Sequence, residues 1–238
     1  MKRIQVVTII LLVMLAGTVA FTGTGYMKVK EEMKVMEEEK QAELEEQRMK
    51  AEVRQMENEI DHIPDEYEVS GYDAWINAND IAEYLYEDSD GNFNENWGTF
   101  LALEAERKDI DPLLVYELLK VETGGTFDPE TVGPETRYGH AYGLGQFMKN
   151  TGPWIADMAD LPYEDERLFD PYYSIQLTIT YLDFLHEEYG DWDHALTAYH
   201  RGMYGLEAYI EENGHAESWY AVEIQENAEK SDFVAVNK

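Results

Sequence analysis

The sequence predicts an all-α protein, on three observations. Asp111-Pro112 and Asp170-Pro171 are helix starts, each a side-chain cap followed by proline in the first turn. Gly124-Gly125, Gly190, Gly202 and Gly214 stand where apolar helical stretches should stop. No segment shows sustained period-2 alternation, so a large sheet is not expected.

The first element spans residues 1–26. Lys2 and Arg3 precede Ile4 to Tyr26, which carry no charge, and about 20 apolar residues suffice to cross a bilayer. The basic pair predicts a cytoplasmic N-terminus and an exported remainder, hence a single-pass membrane protein with its C-terminal domain outside the cell. The competing reading is a signal peptide, cleaved near Thr18-Val19-Ala20, and a secreted product.

The second element, 27–63, is a helical stalk. Lys28 to Asp61 is dominated by Glu, Lys, Gln and Met and contains no Gly or Pro. Met49, Val53, Met56, Ile60 and Ile63 form a coiled-coil-like seam, but Lys40 and Glu43 interrupt it upstream. A solvated single helix and a weak homodimer fit equally. At 1.5 Å per residue the stalk would span up to about 50 Å.

Residues 64–97 read as an acidic spacer opened by Pro64. Within it, Asp88 to Asn94 looks at first like a calcium loop. With Gly91 at the sixth position, Tyr86 and Trp97 would fall at the first and twelfth, which a calcium loop does not allow. The stretch is read as a solvated turn, and no metal or cofactor is expected.

Residues 98–225 form the main domain, and 226–238 a tail. Leu101, Leu103 and Ala105 lie on a first helix, and Leu114, Val115, Leu118 and Leu119 form the buried stripe of a second. Thr151-Gly152-Pro153 opens another. Ile175, Leu177, Ile179, Leu182 and Leu185 line the helix after Asp170-Pro171. Asp193 begins a short helix closing near Gly202, and a last one runs from about Met203 to Glu212.

Charge sharpens the partition. The chain of 238 residues has 18 Lys+Arg against 50 Asp+Glu, a net charge of −32, and no Cys. Residues 1–61 hold nine of the basic and 12 of the acidic residues, so nearly all the excess lies beyond them. Such a domain is no nucleic-acid binder, because phosphate contacts need clustered Lys and Arg. Zero Cys excludes disulfides, thiolate metal sites and cysteine nucleophiles. The domain would also be repelled by polyanions unless salt screens it.

Glu122 is the first residue to single out for chemistry. It ends an apolar helix beside Thr123-Gly124-Gly125. Burial, the negative end of the helix dipole and the surrounding acidic field would each raise its pKa. A carboxyl protonated near neutrality is what cleavage of a glycosidic bond requires. Gly143-Leu144-Gly145-Gln146 adds backbone that a ligand can approach, with a carboxamide offering both donor and acceptor. Tyr199 and His200 sit at a helix end. Tyr138, Tyr142, Trp154 and Tyr181 are aromatic candidates for sugar stacking or for the core.

In order, these pieces resemble the catalytic domain of lytic transglycosylases, the SLT family with a goose-type-lysozyme-like fold. The run is Ile110-Asp111-Pro112-Leu113-Leu114, Val121-Glu122-Thr123-Gly124-Gly125 through Pro129, Val132-Gly133, and Gly143-Leu144-Gly145-Gln146-Phe147-Met148 with Thr151. Phe169-Asp170-Pro171, Tyr181-Leu182 and Ala195 to Tyr199 complete it. The likeness covers roughly 105–210.

The resemblance implies a helical, lysozyme-like domain that cleaves peptidoglycan between N-acetylmuramic acid and N-acetylglucosamine. Glu122 would be its single catalytic acid/base and the product a 1,6-anhydromuramoyl end. Thr123, Gly143, Leu144, Gln146, Tyr181, Tyr199 and His200 would line the substrate cleft. Three positions depart from the family pattern. Thr123 and Gly133 each replace a Ser, and Tyr199-His200-Arg201-Gly202 replaces Tyr-Asn-Ala-Gly. Two other readings stand beside this one. A hydrolytic muramidase would use Asp128, Glu130 or Glu135 to hold water, and a wall-binding scaffold would use the stalk.

Overall fold

The computed structural model describes residues 34–36, 40 and 71–231 and divides the chain into two units, Met1–Glu52 and Val53–Lys238. In the first unit, Lys34-Val35-Met36 and Lys40 are helical and exposed. The expected membrane or signal segment and the seam from Met49 to Ile63 lie outside the described residues. Among the described residues no helix is long and apolar enough to cross a membrane.

The second unit is helical, as its punctuation predicts. Its helices are α1 (Gly71–Asp88), α2 (Glu95–Arg107), α3 (Pro112–Glu122), α4 (Gly152–Met158), α5 (Pro171–Tyr189), α6 (Trp192–Arg201), α7 (Met203–Asn213) and α8 (Trp219–Lys230). A 3-10 turn, Asp165–Phe169, precedes α5. Strands β1 (Ala141–Tyr142) and β2 (Phe147–Met148) form an antiparallel hairpin, with Ala141 opposite Met148 and Tyr142 opposite Phe147.

The caps explain the boundaries. Asp111 Oδ1 accepts the Leu113 N–H at 2.9 Å, and Asp170 Oδ1 accepts those of Tyr172 and Tyr173 at 2.9 and 3.1 Å. Each satisfies a donor that a helix start leaves orphaned. Gly190 and Gly214 end α5 and α7 in the left-handed conformation. One detail differs from expectation. The cap of α6 is Asp191, whose Oδ1 accepts the His194 N–H at 3.0 Å, so the helix starts one residue before Asp193. Thr151 makes no side-chain cap at α4.

Helix α5 is the central element. Its apolar face packs on α2, α4 and α6, and Ile175, Leu177, Leu182 and Leu185 are inaccessible to solvent. Helix α3 packs on α2 and α8, and α6 packs on α7 and α8. The Glu122 end of α3 is thereby placed against α8.

Three expectations need correction. The acidic spacer is no spacer over 71–97, because α1 buries Ala78, Ile81, Ala82 and Leu85 and packs along α2. Nor is the turn at 88–94 solvated throughout. Phe93 has no exposed surface and makes edge contacts with Tyr116 and Phe127 at ring separations of 5.4 and 5.0 Å. Burying such a ring contributes roughly 1.5–3 kcal/mol, enough to pull a polar turn inward. Asp88 closes the same junction by accepting from Tyr116 Oη at 2.7 Å and Lys120 Nζ at 2.6 Å. Finally, α8 was not anticipated, and it runs across the boundary expected at 225. Ser218 Oγ caps it by accepting the Ala221 N–H at 3.2 Å, and Tyr220, Ala221, Ile224 and Ala228 are its buried face.

Candidate active site

Helix α3 delivers Glu122 to the centre of the site. The helix ends there because Gly124 and Gly125 take positive φ, and the Thr123 hydroxyl closes the end. Thr123 Oγ1 donates to Leu119 O at 2.7 Å and accepts the Phe127 N–H at 3.2 Å. Thr123 is buried, with its hydroxyl engaged by backbone, so it holds the turn and does not offer that group to a ligand.

Among the described residues Glu122 receives one hydrogen bond, from Tyr220 Oη to Oε1 at 2.6 Å. Burial pushes its carboxyl from 4.5 up to about 7, while the Tyr220 bond, which favours the charged form, pulls the other way. Of the three effects expected to raise it, burial is therefore the dominant one. Tyr220, 1% exposed, is itself held protonated by burial and by the Glu122 charge. It therefore acts as a donor.

His200, on α6, lies flat against Tyr220, with centroids 4.7 Å apart and planes 6° apart. The residue keeps exposed surface, but desolvation of the ring, helped by the Arg201 charge, lowers its pKa. A neutral ring beside Tyr220 adds no positive charge that would pull the Glu122 proton off.

The Gly143–Gln146 turn docks on α5 and α6 through buried polar groups. The Gly145 N–H donates to Ser174 Oγ at 2.9 Å, and Gly145 O accepts from Tyr199 Oη at 2.9 Å. A Cβ at Gly143, whose φ is +74°, would run into the carbonyl oxygen of Leu168, so only glycine fits. Leu144 has no exposed surface, and its side chain belongs to the core. Tyr199 is pushed well above the usual phenol range by its own burial and by the Glu122 charge. Tyr181 is buried behind it, with ring centroids 5.3 Å apart.

Gln146 adopts positive φ (+50°), and its Nε2 donates to Gly143 O at 2.8 Å and Thr131 O at 3.2 Å. The donor expected to serve a ligand is thus used within the loop, and Oε1 is the atom left. A Cβ at Gly133 would lie 2.6 Å from that oxygen. The loss of a Ser hydroxyl at position 133 therefore has a local reason: a side chain there would compete with the Gln146 carboxamide.

The fold joins Glu122 to His200 through Tyr220, and Tyr199 to Tyr181 and to the Gly143–Gln146 turn. It turns the Thr123 hydroxyl and the Leu144 side chain inward. Asp128, Glu130 and Glu135 are exposed, and Asp128 Oδ1 accepts the Glu130 N–H at 3.0 Å. The residue that sequence reasoning missed is Tyr220. Its signal was Ser218 followed by apolar residues at helical spacing.

A search of curated proteins found no match. Among solved structures, an inactive mutant of the lytic transglycosylase Slt from Pseudomonas aeruginosa is similar at 18% identity and a TM-score of 0.44, over 63% of this chain. The 70 kDa soluble lytic transglycosylase of Escherichia coli is similar at 17% identity and a TM-score of 0.42, over 64% of this chain. The chain spans 27% of the length of each. The family described as Transglycosylase SLT domain matches residues 100–222, which take in Glu122, the Gly143–Gln146 turn, Tyr199, His200 and Tyr220. That match extends over more than half of the sequence, and the chain belongs to the transglycosylase SLT domain family.

Proposed function

We propose that this protein is a peptidoglycan lytic transglycosylase that cleaves the β-1,4 bond between N-acetylmuramic acid and N-acetylglucosamine with Glu122 as its only acid/base. The observation that carries this reading is a half-buried carboxyl, raised by desolvation to about 7, that has a phenol for a partner and, among the described residues, no cation. Family membership supplies the substrate class.

The chemistry needs one carboxyl used twice. Protonated Glu122 gives its proton to the glycosidic oxygen as the bond to C1 of the muramoyl residue breaks. The resulting carboxylate takes the proton of the muramoyl C6 hydroxyl while that oxygen bonds to C1. The acid is regenerated, no water is consumed, and a 1,6-anhydro ring closes the new end. Tyr220 engages Oε1 and leaves Oε2 for the substrate. Because its bond strengthens when Glu122 is charged, it stabilises the carboxylate midway.

Mass spectrometry of digested peptidoglycan tests this. Anhydromuramoyl ends are expected. Reducing ends carrying added water would make the enzyme a hydrolase using a second carboxylate. No released fragments from the wild type would leave a wall-binding scaffold.

The same proposal places the domain outside the cytoplasm, held at the membrane by Ile4 to Tyr26 behind Lys2 and Arg3. Protease added to intact cells should then remove the domain, and protection from it would contradict this placement. A weak homodimer through the stalk fits the same proposal as well as a solvated single helix does. Cross-linking at Met56 would report it.

A further inference from the structure

Trp219 is 56% exposed although it sits directly beside the buried Tyr220 that holds Glu122. A single exposed aromatic is ordinary, but this one ends a run of ring contacts that starts at the acid. Its indole meets His200 edge-on at 5.5 Å and 77°, and Tyr220 edge-on at 5.7 Å and 83°. His200, itself exposed, stacks on Tyr220. Glu122, half-buried, is therefore joined through Tyr220 to His200 and Trp219 at the surface.

The support beneath Trp219 is stiff. Thr197 and Ser218 have no exposed surface, and their hydroxyls lie 2.7 Å apart. Thr197 Oγ1 also donates to Ala216 O at 2.7 Å. These bonds pin the start of α8 to α6, one residue before Trp219 and three before His200. A platform built on locked helix ends loses little freedom when a ligand lands on it. Indole presents a large apolar face at low entropic cost, which suits the apolar face of a pyranose ring.

We propose that Trp219, flanked by His200, is a saccharide-stacking platform that binds a sugar of the peptidoglycan strand next to the bond held at Glu122. This rests on the reading of the site as one that cleaves that strand.

The test uses the full chain carrying Glu122→Gln, which binds without turnover. Calorimetric titration with purified, uncross-linked peptidoglycan strands gives the reference affinity. Adding Trp219→Ala should weaken binding roughly five- to tenfold, and Trp219→Phe should restore most of it. In the otherwise wild-type enzyme, Trp219→Ala should raise KM by a similar factor and leave kcat and the alkaline limb of the pH profile in place. Unchanged affinity in the Trp219→Ala variant would overturn the platform alone. A Glu122→Gln chain that binds no strand at all would overturn the glycan-cleaving reading as well. A phenylalanine variant as weak as alanine would also contradict stacking.

Discussion

Helices α3 and α8 touch through two carboxyls, and the two contacts are built in opposite ways. Glu117 is buried beside a cation. Lys120 Nζ lies 3.4 Å from its Oε1, Asn227 Nδ2 donates to its Oε2 at 3.3 Å, and Lys120 also binds Asp88. Glu122, five residues on, has Tyr220 alone among the described residues. Burial raises both acids, but at Glu117 the Lys120 charge and hydrogen bond offset part of the rise. The difference separates a structural carboxyl from a chemical one. A cation beside the first offsets part of its rise and holds it in place, while the second, with no cation among the described residues, holds a proton near neutrality and gives it up.

The largest effect expected follows from exchanging these roles. Glu122→Gln should lower turnover by about 10²–10⁴-fold, the usual worth of a general acid/base, whereas Glu117→Gln should leave turnover within a small factor of wild type. Stability should move the other way. Because the folded value near 7 lies above the unfolded 4.5, the stabilisation from protonating Glu122 is fully present below about pH 4.5 and is lost as pH rises through 7. That loss is about 3 kcal/mol, and a neutral Gln escapes it. Melting curves should show Glu122→Gln gaining on wild type between pH 5 and pH 8. A constant difference across that range would mean that Glu122 does not carry the buried proton.

A smaller change sharpens the comparison from the partner's side. Tyr220→Phe removes the one bond that favours ionised Glu122. The alkaline limb of kcat/KM should move up by about one pH unit, with a modest loss of kcat. A limb that stays put or moves down would show that the phenol does not face the charged form.

The smallest effect concerns the opposite wall of the site. Gly133→Ser restores the family's residue but would push the Gln146 carboxamide from Thr131 and Gly143. A KM increase of about threefold with an unchanged pH limb is expected. Improved KM would mean that the hydroxyl outweighs the displaced amide.

How far the fold could be read ahead depended on the range of the interaction. Asp111-Pro112, Asp170-Pro171, Gly190 and Gly214 act within a turn of themselves, so their chemistry is visible in the chain. Glu122 stood out because an apolar helix ends at it. Tyr220 lies 98 residues beyond Glu122, and nothing local announces the pairing. Its helix was hidden because the lone Ser218 is an inconspicuous cap. Phe93 was hidden because its polar neighbours mark a turn, while its own ring decides which way the turn faces. Thr123 and Gln146 were recognised as site positions. Which of their atoms remain available depended on backbone partners that only the folded loop supplies.

Glu122 keeps its proton to about neutral pH because it is desolvated beside a phenol and, among the described residues, has no cation. The most direct measurement is a carboxyl carbon-13 NMR titration of the protein, with the resonance assigned through Glu122→Gln. A midpoint near 7 is expected. A midpoint near 4.5 would contradict it and leave Glu122 an ordinary carboxylate at the end of α3.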